Sequence, residues 1–559
     1  MSDGPQRGVE SPSGFPGQED PIGILVAQQK ENRAKEYGED NPHDPPTNSS
    51  TLSIHDEYDL NKVGWDGPDD PENPQTWSIA YKWILTALSF MMTINVTFAS
   101  SAPSSAGLAI AEHFHKPTEY AYVVTTVFLC GYIIGPLFWG PGSELYGRQP
   151  MFRFTLVCYT ILYLGQSLAP NMETLLVTRF LSGFFAVSPV TNCAGAIFDI
   201  WDPIMRGYAL SLFTAGVFLG PVLGPIVGGF VTTSYLGWRW LFWVMMMFSG
   251  ACTIIAVIFV PETYAPVLLQ KKAKLTAFFY QARRLRKADP VANANKYAEH
   301  ERADWSWRGI LTRTLYRPLK MLCIEPILLL VTIYMSLVYG ILYALFEAIP
   351  IIFVSKRGFT LGESGLIFIG VGIGSVIGAA LFHPLSKHYP ELLRRWRGFP
   401  PPEQRLFGAM IGGICLVVGC FWLGWAGEYR GVPWYVPALG TIPLGMSISM
   451  IFISFQAYLV DTYLGFTASA FAATTMVRSA VGAAFPLYTT QMYNKLGISW
   501  ASTLLGLLGL LLAPSPFLFY RYGTIIRSKS NFATCPDLII AEELKAENTP
   551  DNAGNLAKA

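Results

Sequence analysis

Five ionisable side chains stand inside or at the ends of long apolar runs in this 559-residue chain: Arg179, Asp199, Glu347, Asp461 and Arg478. A charge held in hydrocarbon is costly unless it is paired or hydrated, so each is a candidate for chemistry as well as for packing. Glu347 continues a stripe at helical spacing, Thr332, Ser336, Tyr339 and Tyr343. A carboxylate beside two phenol rings suits an organic cation, through charge pairing and cation–π attraction. Partial desolvation would also let it trade protons near neutral pH. The competing reading puts the tyrosines in an interfacial belt with Glu347 facing outside water.

Arg179 opens a stripe of small residues, Ser182, Gly183, Ala186, Pro189 and Asn192, with Phe180, Phe184 and Val187 on other faces. Such a helix packs close to its neighbours while turning its guanidinium toward a polar interior. The alternative is that Arg179 snorkels to the nearer interface. Arg478 shares a face with Thr474, Gly482 and Phe485 and either lines a cavity or forms a structural pair. Asp199 and Asp461 each close an apolar run, where capping or loop pairing competes with gating or proton coupling. Gly220, Gly224 and Gly228 recur every four residues, with Gly229 following and Pro221 and Pro225 interleaved. That spacing makes a close-packing face or a hinge. With no preceding strand and no lysine it is not a phosphate loop.

These residues must be positioned by elements suited to lipid. The chain is 51% hydrophobic and 14% charged, with a mean hydropathy of +0.33, whereas a soluble chain carries about a quarter charged residues. A net charge of +1 and no basic domain argue against a nucleic-acid partner. Seven His and eight Cys show neither metal spacing nor a disulfide framework. Runs free of Asp, Glu, Lys and Arg cover 83–111, 120–143, 154–172, 180–198, 207–238 and 240–261. After a charged interval come 326–346, 364–386, 406–427, 431–460, a pair interrupted by Arg478 (462–494) and 496–520. Each can cross about 30 Å of hydrocarbon as a helix. The expected fold is therefore an all-α membrane protein with twelve transmembrane helices in two pseudo-symmetric six-helix halves.

About 32 of the 40 basic residues fall on one side of this topology, which predicts that both termini are cytoplasmic. Residues 1–80 read as a disordered acidic tail with no cleavable signal peptide. Residues 81–261 and 321–521 read as the two bundles. Between them, 262–320 is a basic cytoplasmic loop with 13 Lys or Arg, and 522–559 is a C-terminal tail. An internal echo supports duplication: Gly220 follows Asp199 at the same interval as Gly482 follows Asp461, with Pro225 and Pro486 just beyond. A substrate site would then lie between the halves near the midplane.

Several segments carry a family resemblance. Gly140-Pro-Gly-Ser-Glu144-Leu-Tyr-Gly147-Arg148-Gln149, between the second and third spans, resembles the loop motif of the major facilitator superfamily. The resemblance implies a cytoplasmic latch of Glu144 and Arg148, with Asp199 as a further partner. Gln149 stands where a second basic residue is often found. Arg179-Phe-Leu-Ser-Gly183 looks like the fourth-span motif of proton-coupled members. Gly220-Pro-Val-Leu-Gly224-Pro225-Ile-Val-Gly228-Gly229 looks like the fifth-span antiporter motif. Trp65-Asp-Gly-Pro-Asp-Asp-Pro-Glu-Asn-Pro74, Pro261-Glu-Thr-Tyr-Ala-Pro266 and Phe346-Glu347-Ala348 resemble fungal twelve-span drug:proton antiporters. The loop after the eighth span, His383-Pro-Leu-Ser-Lys-His-Tyr, lacks the motif, so no second latch is expected.

The resemblance implies proton-coupled efflux of drugs, toxins or secondary metabolites by alternating access, from a monomer in the plasma membrane or the vacuolar membrane. It implies no cofactor or metal, only a proton gradient. Proton and cationic cargo would compete for one carboxylate, Glu347 first and Asp199 second. The rival readings are a polyamine or nutrient carrier of the same fold and a transporter-like sensor. An intramembrane enzyme would need nucleophile–base or metal pairs that the spans do not contain.

Overall fold

The computed structural model describes residues 65, 70–272, 309, 312–533 and 535–547. Most of the predicted N-terminal tail, most of the basic loop and the last residues of the C-terminal tail lie outside them. The apolar runs fold as helices whose ends carry ordinary signals. The first crossing, α1 (Ile79–Ser101), is capped by Ser78. The second is a pair, α2 (Glu119–Ile134) and α3 (Pro136–Tyr146), bent by 43° where Pro136 removes a backbone donor. There follow α4 (Arg148–Ser167), α5 (Met172–Ile200, capped by Asn171), α6 (Pro203–Thr233, with proline in its first turn) and α7 (Trp238–Phe259).

The second set is α8 (Pro326–Pro350), a short α9 (Leu361–Leu366) leading into α10 (Phe368–Leu385), α11 (Phe407–Glu428), α12 (Thr441–Thr462), α13 (Thr467–Leu512) and α14 (Ser515–Ser528). A further helix, α15 (Pro536–Glu547), follows within the predicted tail.

Among the described residues nine helical stretches are long and apolar enough to cross a bilayer, ten with the bent pair. One of the nine, Thr467–Ser528, runs for 62 residues, about three times what a crossing needs. It breaks at Gly497, whose φ of +80° is open to glycine and strained for other residues. α4 has the length of a crossing but carries Arg148 and Arg153. The twelve expected crossings are reached by dividing the long stretch and admitting α4.

The packing repeats. In the first half α1 lies along α6, α2 along α5, and α4 against α5 and α7. In the second, α8 lies along the start of α13, α10 along α12, and α11 against α12 and the rest of α13. The halves meet where α2 touches α13 and where α6 touches α9 and α10. The echo between Gly220 and Gly482 has a structural counterpart: Gly220 packs on Thr97 of α1, and Gly482 on the Tyr339 ring of α8.

Candidate functional site

A cavity of about 400 Å³ runs between the halves from the 140–148 turn to Arg478. Glu144, Arg148, Asp199 and Arg206 stand at its mouth; deeper, Asn192, Phe213, Gln456, Phe471, Thr474 and Arg478 line it. Beyond Arg478 the halves are joined. Tyr343 Oη of α8 donates to Ser100 Oγ of α1 at 2.7 Å, and Thr126 Oγ1 of α2 donates to the Ala483 carbonyl of α13 at 2.9 Å. On the side away from the mouth, a Cβ on Gly229 of α6 would stand 2.6 Å from the Leu361 carbonyl, and one on Gly365 of α9 would stand 2.6 Å from the Pro225 carbonyl. Real Cβ atoms do not approach so closely, so glycine at both positions lets backbone meet backbone and seals that side. The cavity is thus accessible from the 140–148 side and blocked at the other.

The antiporter-like glycines divide between two jobs. Gly220 and Gly224 face Thr97 and Ser101 of α1, and Gly228 faces Ala102 just after it, all within the first half, while Gly229 faces the second half. Pro225 contributes its carbonyl to the seal and also accepts a hydrogen bond from Ser105 Oγ at 3.3 Å.

Arg179 is fully buried. It neither snorkels nor lines the cavity: Nη2 donates to the Ala99 carbonyl at 3.1 Å, Nε to the Val124 carbonyl at 3.4 Å, and the guanidinium lies 4.4 Å from the Phe128 ring centre. It ties α5 to α1 and α2, and Nη1 has no hydrogen-bond partner among the described residues.

The organic-cation site expected around Glu347 does not form. Tyr339 and Tyr343 are buried, and the Arg478 guanidinium stands 5.3 Å from the Tyr339 ring centre, on the surface a cationic ligand would use. Glu347, two turns beyond Tyr339 on α8, is half-buried, lies outside the cavity lining and within electrostatic reach of Tyr122 on α2, and makes no hydrogen bond or ion pair with a described residue. A single carboxylate shared by cargo and proton is therefore absent from the cavity's deep end.

At the mouth, Arg148 pairs with Asp199 rather than Glu144: its Nε donates to Oδ2 of Asp199 at 3.3 Å, its Nη1 to Ser143 Oγ at 2.7 Å, and its guanidinium sits over the Tyr264 ring. Glu144 makes no ion pair among the described residues, and an added Cβ on Gly140 would meet nothing within 4 Å. Gly147 is different, with φ +100° and ψ 163° in a region essentially closed to other residues. Its missing side chain makes room for the Glu262 carboxylate. That carboxylate accepts backbone N–H groups of Arg148 (2.9 Å) and Gln149 (3.2 Å) at the start of α4, and of Thr263 and Tyr264 beyond α7. A carboxylate there satisfies orphan donors and complements the helix dipole.

A second latch does exist, contrary to the expectation from the 383–389 loop. Arg405, just before α11, donates Nε to Asp461 Oδ2 at 2.9 Å and stacks on Tyr389 at 3.3 Å; Tyr389 Oη donates to the same carboxylate at 2.8 Å. Burial alone would lower the Arg405 guanidinium, but Asp461 and Tyr389 more than offset it and hold it above its ordinary value. The pair repeats Arg148–Asp199, with the arginine at or just before the start of the third crossing of its half and the aspartate near the end of the fourth. Beside it, buried Arg527 of α14 binds the carboxylates of Glu403 (2.8 and 3.1 Å) and Asp537 (2.9 and 2.7 Å). Glu325, preceding α8, accepts from Ser530 Oγ at 2.6 Å and from the backbone N–H groups of Asn531 and Phe532. The chain after α14 is therefore bound to the mouth side of the second half.

Two helix bundles sharing a half-open cavity have the architecture of a membrane carrier. The model of the Major Facilitator Superfamily matches residues 85–486, and the chain belongs to that family. It is 40% identical over 500 residues to the citrinin biosynthesis cluster MFS transporter of Monascus ruber, covering 88% of this chain and 96% of that one. It is 39% identical over 499 residues to the major facilitator superfamily multidrug transporter of Aspergillus fumigatus, covering 89% and 80%. The solved structure of the proton:xylose symporter XylE is similar in fold, with 17% identity, a TM-score of 0.56, and coverage of 80% of this chain and 96% of that one.

Proposed function

We propose that the protein exports small organic compounds by alternating access, loading cargo from the cytoplasm and driven by inward proton movement. The observation that carries this reading is the cavity open toward the 140–148 turn and sealed beyond Arg478 by backbone contacts. With the positive-inside charge bias that turn is cytoplasmic, so the resting state is ready to load from the cell. A relative named as an MFS-type efflux pump in Trichophyton rubrum supports export over uptake, and the plasma membrane is the address in this reading.

Glu347 is the proton site in this reading. It shares α8 with Tyr343, which bridges the halves, and with Tyr339, which touches Arg478. Protonation of Glu347 and cargo at Arg478 would both bias that bridge without sharing a carboxylate. The test is efflux from proteoliposomes under an imposed pH gradient. Wild type moves cargo against its gradient, while Glu347→Gln retains binding and loses the dependence on pH. Full pH-driven efflux by Glu347→Gln would remove the coupling role. Growth of a deletion strain on a panel of toxic compounds would identify cargo.

A further inference from the structure

We infer that the deep end of the cavity is an organic-anion subsite, in which the Arg478 guanidinium receives a carboxylate on an aromatic body. The inference deepens the export reading and rests on it only for direction of movement.

Arg478 is only 6% exposed, yet it lines the cavity. It makes no hydrogen bond or ion pair with a described residue, and its Nε is buried without a partner. Its neighbours are the Tyr339 and Phe452 rings, at 5.3 and 5.5 Å. The ionisable groups acting on it are the phenols of Tyr339, Tyr343 and Tyr132, with no carboxylate among them. An arginine stays charged in a protein, and two ring faces do not replace its lost hydration.

The rest of the lining does not neutralise it. Glu144 and Asp199 are the carboxylates of the cavity, and both stand at the mouth with Arg148 and Arg206; Asp199 is already bound to Arg148 and to Thr263. Arg179, the other guanidinium that acts on Tyr132, likewise has no carboxylate partner among the described residues. The deep end therefore carries uncompensated positive charge in a poorly hydrated space. A ligand carboxylate can take two parallel N–H bonds from such a fork. Phe213 and Phe471 offer apolar area to the body of the ligand, and Asn192, Gln456 and Thr474 offer polar contacts.

The test uses the full chain purified in detergent and three probes with one ring system: 1-naphthoate, 1-naphthamide and 1-naphthylmethylammonium, titrated by calorimetry. In wild type, 1-naphthoate binds at least about tenfold more tightly than either of the others. Arg478→Gln removes that preference while leaving 1-naphthamide within about twofold, and Arg478→Lys, a point charge without the fork, retains part of it. Equal binding of the three probes by wild type, tightest binding of the ammonium, or an equal loss for all three in Arg478→Gln would each overturn the subsite. The wild-type comparison holds even where a variant fails to fold. Proteoliposome efflux separates the two readings. Export of the ammonium alone keeps transport and removes the subsite, whereas selective binding of 1-naphthoate without gradient-driven movement keeps the subsite and removes export.

Discussion

At the scale of single residues, the loop motif splits into a part the fold needs and a part it leaves free. Gly147 combines a backbone conformation closed to other residues with a carboxylate in the space a Cβ would fill. Gly147→Ala should cost about 2–3 kcal/mol, read as a lowered thermal midpoint in detergent. Gly140→Ala, with open space around the new methyl, should stay within about 0.5 kcal/mol. A motif reading treats the two glycines alike, so the contrast tests the structural account. The sequence brought Arg148 and Asp199 into view, but Arg148's choice of Asp199 over Glu144 depends on how α5 ends beside it. Glu262 was visible only as part of a recurring segment. Its role requires residues 148 and 262 to meet, and nothing local announces that. Arg478 was legible as an oddity, whereas its lack of a carboxylate partner follows from where Glu347 lies on a neighbouring helix.

At the scale of elements, the apolar runs were plain because lipid demands long uncharged helices and tolerates little else. α4 was the weaker case, since its arginines lie at the membrane boundary. The second latch escaped because its parts come from three elements, at Tyr389, Arg405 and Asp461, and not from one contiguous pattern. The seal of α6 on α9 is where an element-level change should act. Gly229→Leu places a side chain against the Leu361 carbonyl and should favour the state in which this side opens. A cysteine at Thr475, which lines the cavity, would then react more slowly with an impermeant thiol reagent from the side of the mouth and faster from the opposite side. Unchanged labelling from both sides would show that the contact is no gate. Leu at Gly250, where a Cβ meets only the Thr160 methyl at 3.9 Å, is the control.

For the whole molecule, the duplicated packing and a cavity between the halves were legible in the apolar runs and the internal echo, but the opening of that cavity on one side and the fate of the chain after α14 were not. A run of mixed residues reads as a tail unless its partners are known. Those partners, Glu325 and Glu403, lie far back in the sequence. Arg527 balances two carboxylates in a nearly water-free site, so Arg527→Leu should destabilise by about 3–5 kcal/mol; Glu403→Gln, which leaves the Asp537 pair intact, should cost less. Thermal unfolding of both variants checks the order. The same attachment bears on biosynthesis. Glu325 leaves the ribosome some two hundred residues before Ser530, which it must bind. Until then, of the donors described here, the carboxylate has only the Tyr463 hydroxyl, at 3.2 Å. A nascent chain stopped before residue 530 should therefore complete its membrane insertion and still be recognised as immature and degraded, while one stopped just beyond α15 should survive.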